Sequence, residues 1–414
     1  MMDDMLIRFL GGSDRVGSLA MLLETDGKKM LFDYGMTPSK PPGIPLPAPP
    51  VDFVFLSHAH LDHSGMIPAL CDNGDVPILC TDLTAEISHL LHKDTLKIAE
   101  TEGYAPPYGS ADIRKVNHFF EPVKPKENRN IDSVCDVRFH DAGHIPGSLM
   151  TEITSSKRLL FTGDFNTIDT HLVKGTKPIG CDILVMEGTY GGRDHPKKRD
   201  ELEKEFIDTI DEVVGRGGVV VLPAFAVSRS QEIALVLRKS GFNIWFDGMG
   251  SKVSKLFLKY PEYLKDAGAL KKVMNNINLV HSEHGRKLAL ESEVILTSSG
   301  MMDGGPVLHY MNKLKNDSKS AVLLTGYQVE GTNSRLLVDR RKLNFYGVLE
   351  DVACDVHYFD FSGHAGHSEL ISFAKGCHPE KIVIMHSESR EILAESMKDF
   401  SEVLMPHNDQ LISL

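Results

Sequence analysis

The stretch 57-SHAHLDHSG-65 places four good metal-binding side chains within six positions. These side chains are His58, His60, Asp62 and His63. The apolar run 51-VDFVFL-56 comes directly before them, so they follow a predicted strand, where a rigid sheet can aim side chains. Imidazole nitrogen and carboxylate oxygen are both zinc ligands. The stretch therefore predicts the beginning of a metal site at a strand end.

A cluster this short rarely completes two metal sites, so further ligands have to come from other strand ends. Three candidates follow apolar runs: His144 in DAGHIPGS, Asp164 in FTGDFN and His386 in IMHSES. Asp164 is the natural bridge, because one carboxylate can ligate two ions. Two ions about 3.5–4 Å apart can activate water at neutral pH and neutralise the charge that develops on a phosphodiester.

Simpler interpretations exist for the single residues. A histidine beside a glycine, such as His144, is usually a turn residue, and an aspartate after a glycine, such as Asp164, is usually a turn or cap residue. The cluster at 57–65 is far more specific than either. His89 and His92 fall on a predicted helix in 81–100 and are interpreted as packing or surface residues.

Composition limits the class of protein. The 414 residues exceed what one core usually supports, which predicts two domains, and 42% hydrophobic with 25% charged residues is typical of a globular protein. No run of about 18 apolar residues predicts a membrane span, and the acidic N-terminus does not read as a signal peptide. Six cysteines without a CxxC pair favour a reducing compartment, the cytoplasm. The formal charge of −12 argues against non-specific nucleic-acid binding, although it allows a locally positive cleft.

The pattern of predicted elements changes after Tyr190. Up to that point short apolar runs end in Gly, Asp or His, whereas afterwards amphipathic helices alternate with buried strands, as in a parallel sheet with covering helices. The tail returns to strands that end in His. We therefore expect an α/β domain at 194–350 inserted into a host domain that is formed by 1–193 and 351–414.

Seven motifs along the chain resemble those of a known family. They are LFDYGM with Asp33, SHAHLDHSG, DAGHIPGS, FTGDFN, MEGTYGG with Glu187, FSGHAG with His364, and MHSE with His386. Their order resembles the metallo-β-lactamase superfamily and, within it, the β-CASP nucleases, which include RNase J and the endonuclease subunit of the cleavage and polyadenylation specificity factor. The opening IRFLGGSDRVGS and the chain length look most like archaeal relatives that lack an N-terminal RNA-binding extension. The resemblance implies an α/β fold: a four-layer αββα metallo-β-lactamase sandwich with an inserted β-CASP domain that contains a parallel sheet.

The resemblance also implies two Zn²⁺ ions. One would be held by His58, His60, His144 and Asp164, and the other by Asp62, His63, Asp164 and His386. Asp33 would orient a ligand histidine from outside the ligand set; a turn residue after a strand is its simpler interpretation.

Three catalytic residues are implied by the resemblance: Asp62, Glu187 and His364. His364 would be the general acid that protonates the leaving 3′-oxygen, and Glu187 would fix its tautomer and raise its pKa. Glu187 and His364 lie far apart in the chain, so the sequence cannot show that they meet. The simpler interpretation is a surface glutamate and a loop histidine.

Loops after three predicted strands are candidates for RNA binding. The candidate residues are Ser298, Ser299, Gly300, Tyr327, Arg229 and Arg335. Backbone N–H groups of the Gly-rich loop can form a nest for a phosphate, the tyrosine can stack on a base, and the arginines can meet backbone phosphates. An ordinary loop, a core tyrosine and solvated arginines are the simpler interpretations.

The motifs and the resemblance together predict a zinc-dependent ribonuclease that cuts single-stranded RNA endonucleolytically, with 5′-to-3′ exonucleolytic cutting as a further activity. SGHAG is nearer to the RNase J form, whereas the rest of the chain looks more like the endonuclease, so endonucleolytic and 5′-to-3′ exonucleolytic cutting both stay open, as does DNA as a substrate. The alternatives are a small-molecule hydrolase of the same fold and a non-catalytic scaffold subunit of an RNA-processing complex. The resemblance further implies a homodimer, or association with other RNA-processing or exosome-type proteins, and no membrane partner.

Overall fold

The computed structural model describes residues 5–131, 134–326 and 328–414. The chain divides into two units. Unit 1 comprises Met1–Asp169, Lys174–Asp194 and Gly363–Leu414, and unit 2 comprises Thr170–Val173 and His195–Ser362.

Within the described residues, unit 1 contains two seven-stranded sheets. The strands of the first sheet, numbered along the whole chain, are β1 (Leu6–Gly11), β2 (Ala20–Thr25), β3 (Lys28–Phe32), β4 (Phe53–Phe55), β5 (Ile78–Cys80), β6 (Phe120–Pro122) and β22 (Leu411–Ser413). The strands of the second are β7 (Asn128–Ile131), β8 (Cys135–Asp141), β9 (Leu149–Thr154), β10 (Arg158–Phe161), β11 (Ile183–Glu187), β20 (Lys381–Met385) and β21 (Glu402–Leu404). The spatial orders are β22-β1-β2-β3-β4-β5-β6 and β21-β20-β11-β10-β9-β8-β7.

Alternating side chains on these strands build the layers of unit 1, because successive residues of a strand point to opposite faces. Phe32 of β3 and Phe161 of β10 meet in the core between the sheets, with ring centroids 4.9 Å apart. Their neighbours Leu31 and Leu160 face outward into two further buried clusters.

Helices cover both outer faces of the sheets. They are α1 (Leu61–Ser64), α2 (Asp82–Glu102), α3 (Ser110–Val116), α11 (His367–Cys377) and α12 (Arg390–Met397), with a 3₁₀ helix at Ile67–Asn73. Ile113 of α3 belongs to the outer cluster of the first sheet, and Phe373 of α11 and Leu393 of α12 belong to that of the second. The order helix, sheet, sheet, helix confirms the predicted αββα sandwich.

Unit 2 is built on a six-stranded sheet in the part of the chain that the structure describes. Its strands are β12 (Val220–Pro223), β13 (Ile244–Asp247), β14 (Asn278–Leu279), β15 (Val294–Thr297), β16 (Ala321–Leu324) and β19 (Asp355–Tyr358), in the order β14-β13-β15-β12-β16-β19. Every neighbouring pair is parallel, which confirms the predicted parallel sheet. A hairpin joins β17 (Lys342–Phe345) and β18 (Val348–Asp351).

Helices of unit 2 alternate with its strands. They are α4 (Arg199–Gly215), α5 (Arg229–Val236), α6 (Gly250–Lys259), α7 (Ala267–Asn276), α8 (Glu283–Leu290), α9 (Pro306–Leu314) and α10 (Asn333–Arg340), with short 3₁₀ helices at Leu237–Lys239 and Pro261–Tyr263. Val221 and Val322 of the central strands pack with Met311 of α9 in one buried cluster. No helix in the described ranges is both long and apolar enough to span a lipid bilayer.

Unit 2 extends beyond the boundary at residue 350 that the sequence predicted. Residues 351–362, which we grouped with the host domain, belong to unit 2. The reason is that β19 pairs with β16, with Ala321 opposite Asp355. The spacing of apolar residues identifies a strand, but it does not show which sheet the strand joins.

Candidate metal centre

The candidate metal centre lies at strand ends of unit 1. β4 leads into residues 57–63, and β8, β10 and β20 lead into His144, Asp164 and His386. Glu187 is the last residue of β11. The two sheets of one unit therefore both contribute side chains, and the strand ends place them together.

A glycine allows the loop of Asp164 to approach the histidine cluster. Gly163 has φ 54°, and a Cβ at this position would lie 2.7 Å from the Cβ of Ser57. A side chain would therefore be strained by both its backbone conformation and its contacts. The motif FTGDFN needs its glycine for this geometric reason.

The first predicted ligand set meets in one place. His58, His60, His144 and Asp164 each offer a ligand atom, and these atoms lie within 4.8 Å of one another. His60 Nδ1 lies 3.1 Å from His58 Nε2 and 3.2 Å from His144 Nε2. Burial lowers the pKa of all three imidazoles, so each keeps a neutral ring, the form that ligates a metal.

The second predicted set lies beside the first. Asp62, His63 and His386 also offer ligand atoms within 4.8 Å of one another. Asp164 reaches both sets: its Oδ2 lies 3.2 Å from His63 Nε2 and 3.7 Å from His58 Nε2, and its Oδ1 lies 3.2 Å from His386 Nδ1. Burial raises the pKa of Asp164, but His63 and His386 outweigh burial and hold that pKa well below its usual range. One ionised carboxylate therefore faces two groups of imidazoles.

His386 has an unusual backbone conformation at this place. Its φ is 52°, a left-handed value that is uncommon for a residue with a side chain and is concentrated at functional sites. The backbone N–H of Gly17 donates to His386 Nε2 over 2.8 Å. Gly17, which the sequence did not suggest, thus helps to orient this ring.

Asp33 holds His63 from the outside. His63 Nδ1 lies 2.7 Å from Asp33 Oδ2, and Asp33 also accepts from the backbone N–H and the hydroxyl of Ser57. Burial alone would lower the pKa of His63, but Asp164 and Asp33 outweigh it and raise that pKa well above its usual range.

The remaining nitrogen of His63 gives a test of whether these residues fit a metal ion. With the proton of Nδ1 donated to Asp33, Nε2 is buried and makes no hydrogen bond within the described chain. A buried polar atom needs a partner. A divalent cation between Nε2 and the Asp164 carboxylate would provide one, and a carboxylate behind a ligand histidine is the usual outer partner in metal sites. The donor set therefore fits a metal ion.

Glu187 and His364 meet at the edge of the two sets. His364 Nδ1 lies 3.0 Å from each carboxylate oxygen of Glu187, which is fully buried and also accepts from the backbone N–H of Phe165. Burial lowers the pKa of His364, but Glu187 and Asp164 outweigh it and raise the pKa to about 9. The ring is 4.6 Å from that of His144, measured between centroids. The structure thus brings together two residues that the sequence could not connect.

Two supporting groups were missed at the sequence level. The carbonyl of Gly363 accepts from His144 Nδ1 over 2.8 Å, so FSGHAG contributes to the first ligand set as well as providing His364. Ser57 links Asp33 to the histidine cluster, as its hydroxyl lies 3.0 Å from His58 Nδ1. The serine at the start of SHAHLDHSG was the available signal, whereas a backbone carbonyl has none.

The predicted RNA contacts belong to unit 2. Ser298–Gly300 follows β15 and Arg229 begins α5 after β12, so both lie at the carboxyl ends of adjacent strands. Arg335 lies on α10 and pairs with Asp339 over 2.8 Å. Tyr327 lies outside the described residues. The contacts of the described residues among these do not identify a ligand, so the RNA-binding role stays a prediction.

Comparisons with known proteins show the family of this chain. Residues 13–215 match the metallo-beta-lactamase superfamily, residues 230–337 match the Beta-Casp domain, and residues 350–406 match the Zn-dependent metallo-hydrolase RNA specificity domain. Probable RNase MJ4 of Methanocaldococcus jannaschii is 36% identical over 96% of each chain. The chain belongs to the metallo-β-lactamase superfamily, with a β-CASP domain.

Other relatives of this β-CASP protein are also archaeal. RNase aCSPSF2 of Saccharolobus solfataricus is 36% identical over 99% of this chain and 85% of its own length. Transcription termination factor FttA of Thermococcus kodakarensis is 34% identical over 93% of this chain and 67% of its own length. A solved structure of a protein of unknown function from Enterococcus faecalis V583 has a TM-score of 0.63 with 15% identity over 99% of this chain and 100% of that chain, which shows the shared fold alone. Membership of the superfamily makes this chain a metal-dependent hydrolase with a divalent-metal centre.

Proposed function

We propose that the protein is a zinc-dependent ribonuclease that hydrolyses phosphodiester bonds of single-stranded RNA at a dinuclear centre in unit 1. The observation that supports this best is the position of Asp164, which lies between the two ligand sets and beside the His364–Glu187 pair. A carboxylate that could serve both ligand sets, next to an imidazole held by a second carboxylate, would suit phosphodiester hydrolysis, which needs both charge neutralisation and a proton for the leaving oxygen.

The proposed ligands are those that meet in the structure. His58, His60, His144 and Asp164 would hold one zinc ion. Asp62, His63, Asp164 and His386 would hold the second, with Asp33 fixing the proton of His63 on Nδ1. When bound, two divalent cations supply Lewis acidity at the phosphate and lower the pKa of a nucleophilic water.

The protein side chains supply orientation and a proton. His364 donates its Nδ1–H to Glu187, so Nε2 is the atom that carries the proton for the leaving 3′-oxygen. Glu187 itself is fixed by the backbone N–H groups of Phe165 and Thr189. The Glu187 carboxylate raises the pKa of His364, which favours the protonated ring that a general acid needs.

RNA is the substrate class that the comparisons favour. The region 350–406 matches a domain described by its RNA specificity, and two of the relatives above carry the name RNase. The RNA would contact backbone N–H groups of Ser298–Gly300 and the side chains of Arg229 and Arg335 in unit 2. Tyr327 would stack on a base. A small-molecule hydrolase has no comparable support. A scaffold subunit is disfavoured because such subunits lose metal ligands, and here every predicted ligand is present.

We also propose a cellular location and partners for the protein. All six cysteines are free and buried in the structure as described, which favours the reducing cytoplasm. A homodimer, or association with other RNA-processing or exosome-type proteins, is consistent with the family and is tested by the oligomeric state of the purified protein.

The decisive experiment uses one RNA in two forms. A 5′-radiolabelled single-stranded RNA is prepared with a 5′-monophosphate or a 5′-triphosphate and incubated with zinc-loaded protein, with the Asp62→Ala/His63→Ala variant as control. Discrete internal fragments from both forms mean an endonuclease. Mononucleotides released mainly from the monophosphate form mean 5′-to-3′ exonucleolytic trimming. No cleavage of either form, or equal cleavage by the control variant, contradicts the proposal. A single-stranded DNA of the same sequence tests the selectivity for RNA.

A further inference from the structure

The short helix α1 carries two of the proposed metal ligands, Asp62 and His63. It is a single turn, and the carbonyl groups at a helix end have no partner within the helix. Its orientation therefore depends on what binds those carbonyls. The structure shows a hydrogen-bond donor for each of the four.

Three of the four carbonyls accept from backbone N–H groups of other segments. Met36 N–H donates to Leu61 O over 2.8 Å, Leu19 N–H to Asp62 O over 2.9 Å, and Tyr34 N–H to His63 O over 2.8 Å. The approach of this backbone is so close that a Cβ at Gly35 would lie 1.7 Å from the carbonyl oxygen of Asp62.

The fourth carbonyl is bound by a side chain from another helix. His92 Nε2, on α2, lies 2.8 Å from Ser64 O. A carbonyl oxygen can only accept, so Nε2 carries the proton. His92 is fully buried, and its Nδ1 makes no hydrogen bond within the described residues. Burial lowers the pKa of His92 to about 4, and the ring is neutral at physiological pH.

Asp62 depends on this arrangement more than His63 does. His63 is held a second time by Asp33. The Asp62 carboxylate has no hydrogen-bond partner within the described part of the chain, and its Oδ2 lies 3.7 Å from His386 Nε2. The position of the Asp62 carboxylate therefore follows from the backbone of α1.

We infer that His92 is a positioning residue for the metal centre: its Nε2–H holds α1 through Ser64 O and so places Asp62 to bind the second ion. The inference rests on the proposed dinuclear site but not on RNA cleavage. It assigns a role to a histidine that the sequence suggested was only a packing or surface residue.

Two amide substitutions test the atom that the inference names. In His92→Gln the amide nitrogen can occupy the place of Nε2 and donate to Ser64 O, whereas in His92→Asn the shorter side chain cannot reach it. His89→Gln is the matched control, since His89 lies on the same helix and contacts Asn117 instead. Zinc binding is measured by competition with a coloured chelator, and the melting temperature of each metal-free variant reports its folding.

The expected result is a lower affinity for the second zinc ion and an unchanged affinity for the first. His92→Asn should bind the second zinc about 10-fold more weakly, at the lower end of what outer partners of metal ligands contribute, and the first zinc as wild type does. His92→Gln and the control should bind both as wild type does. Equal affinities in His92→Asn and His92→Gln, or a folded His92→Gln that loses the second ion, would overturn the inference.

The test separates this inference from the proposed function. Wild-type protein that binds two zinc ions with the expected dependence on His92, yet cuts no RNA, contradicts the nuclease and leaves the role of His92 standing. Wild-type protein that binds no zinc contradicts both. If His92→Asn does not fold, His92→Leu replaces it as the variant that fills the space but cannot donate: weaker binding of the second ion than in His92→Gln supports the role of Nε2, and equal binding refutes it.

Discussion

Two histidines of the metal centre in unit 1 are each held by a second contact, whereas Arg335, a predicted RNA contact in unit 2, is exposed and paired with a neighbour on its own helix. In unit 1, His63 is hydrogen-bonded to Asp33 and His144 to a backbone carbonyl, and both histidines are buried. In unit 2, Arg335 is 47% exposed and pairs with a neighbour on its own helix. The difference indicates that side chains that take part in bond breaking need fixed positions, whereas side chains that bind a flexible polymer need to be accessible.

The largest effect is expected where the second ligand set is removed. Asp62→Ala with His63→Ala should reduce RNA cleavage by on the order of 10⁴-fold or more, because residues that act as one catalytic unit fail together. Cleavage rates and the melting temperature should be measured on the same preparation. Wild-type activity in the double variant would break the comparison, since the buried His63, which Asp33 also holds, would then be dispensable.

A smaller effect is expected from the proposed acid. His364→Ala should slow cleavage by about 10²- to 10⁴-fold, the range for loss of general acid catalysis, while zinc content stays that of wild type. Zinc is measured by atomic absorption and cleavage by single-turnover kinetics. Loss of zinc in this variant would show that His364 is a ligand and not the acid.

The outer partner of His63 should matter less than the ligands themselves. Asp33→Asn keeps one acceptor oxygen and tolerates the left-handed φ of 57° at this position, so folding should persist. The loss of the full carboxylate charge should weaken zinc binding by about 10- to 100-fold. Chelator competition measures this, with Asp52→Asn at the surface as control. An unchanged affinity would mean that His63 is positioned by its backbone alone.

Acid should destabilise the metal-free protein partly through His92. Its folded pKa is about 4, whereas a histidine of the unfolded chain titrates near 6.5. Between these values the unfolded state binds more protons, so this contribution to stability is fully present above pH 6.5 and is lost as the pH falls towards 4. From pH 7 to pH 5, wild type should lose about 2 kcal/mol more than His92→Gln. Urea unfolding at both pH values measures the difference, and identical losses would contradict the buried neutral ring.

The smallest effect is expected in unit 2. Arg335→Ala should raise the KM for RNA by about two- to five-fold without changing kcat, because an exposed charge contributes little, and should reduce the salt dependence of binding by about 0.7 in the logarithmic slope. Arg340→Ala on the same helix is the matched control. A change in kcat would show that Arg335 acts at the reaction itself.

Much of the metal centre could be predicted because each ligand is recognised from its own residue type and from the strand directly before it. SHAHLDHSG, the strand before it and the strand ends at His144, Asp164 and His386 carry the residue types that metals need, and the structure brings them within ligand distance. The roles of His92 and Gly363 could not be predicted. Each acts through a hydrogen bond between a side chain and a main-chain carbonyl of a segment far away in the chain, and such bonds leave no pattern in the sequence.

By itself the sequence determined the ligand types, the short strands of unit 1 and the parallel sheet of unit 2, since these follow from side-chain chemistry and from the spacing of apolar residues. Only the tertiary structure decided that Glu187 meets His364, that β19 joins unit 2, and that His92 binds the end of α1. The physical reason is that contacts between distant segments depend on how strands pair and layers pack, and many different sequences meet those requirements equally well.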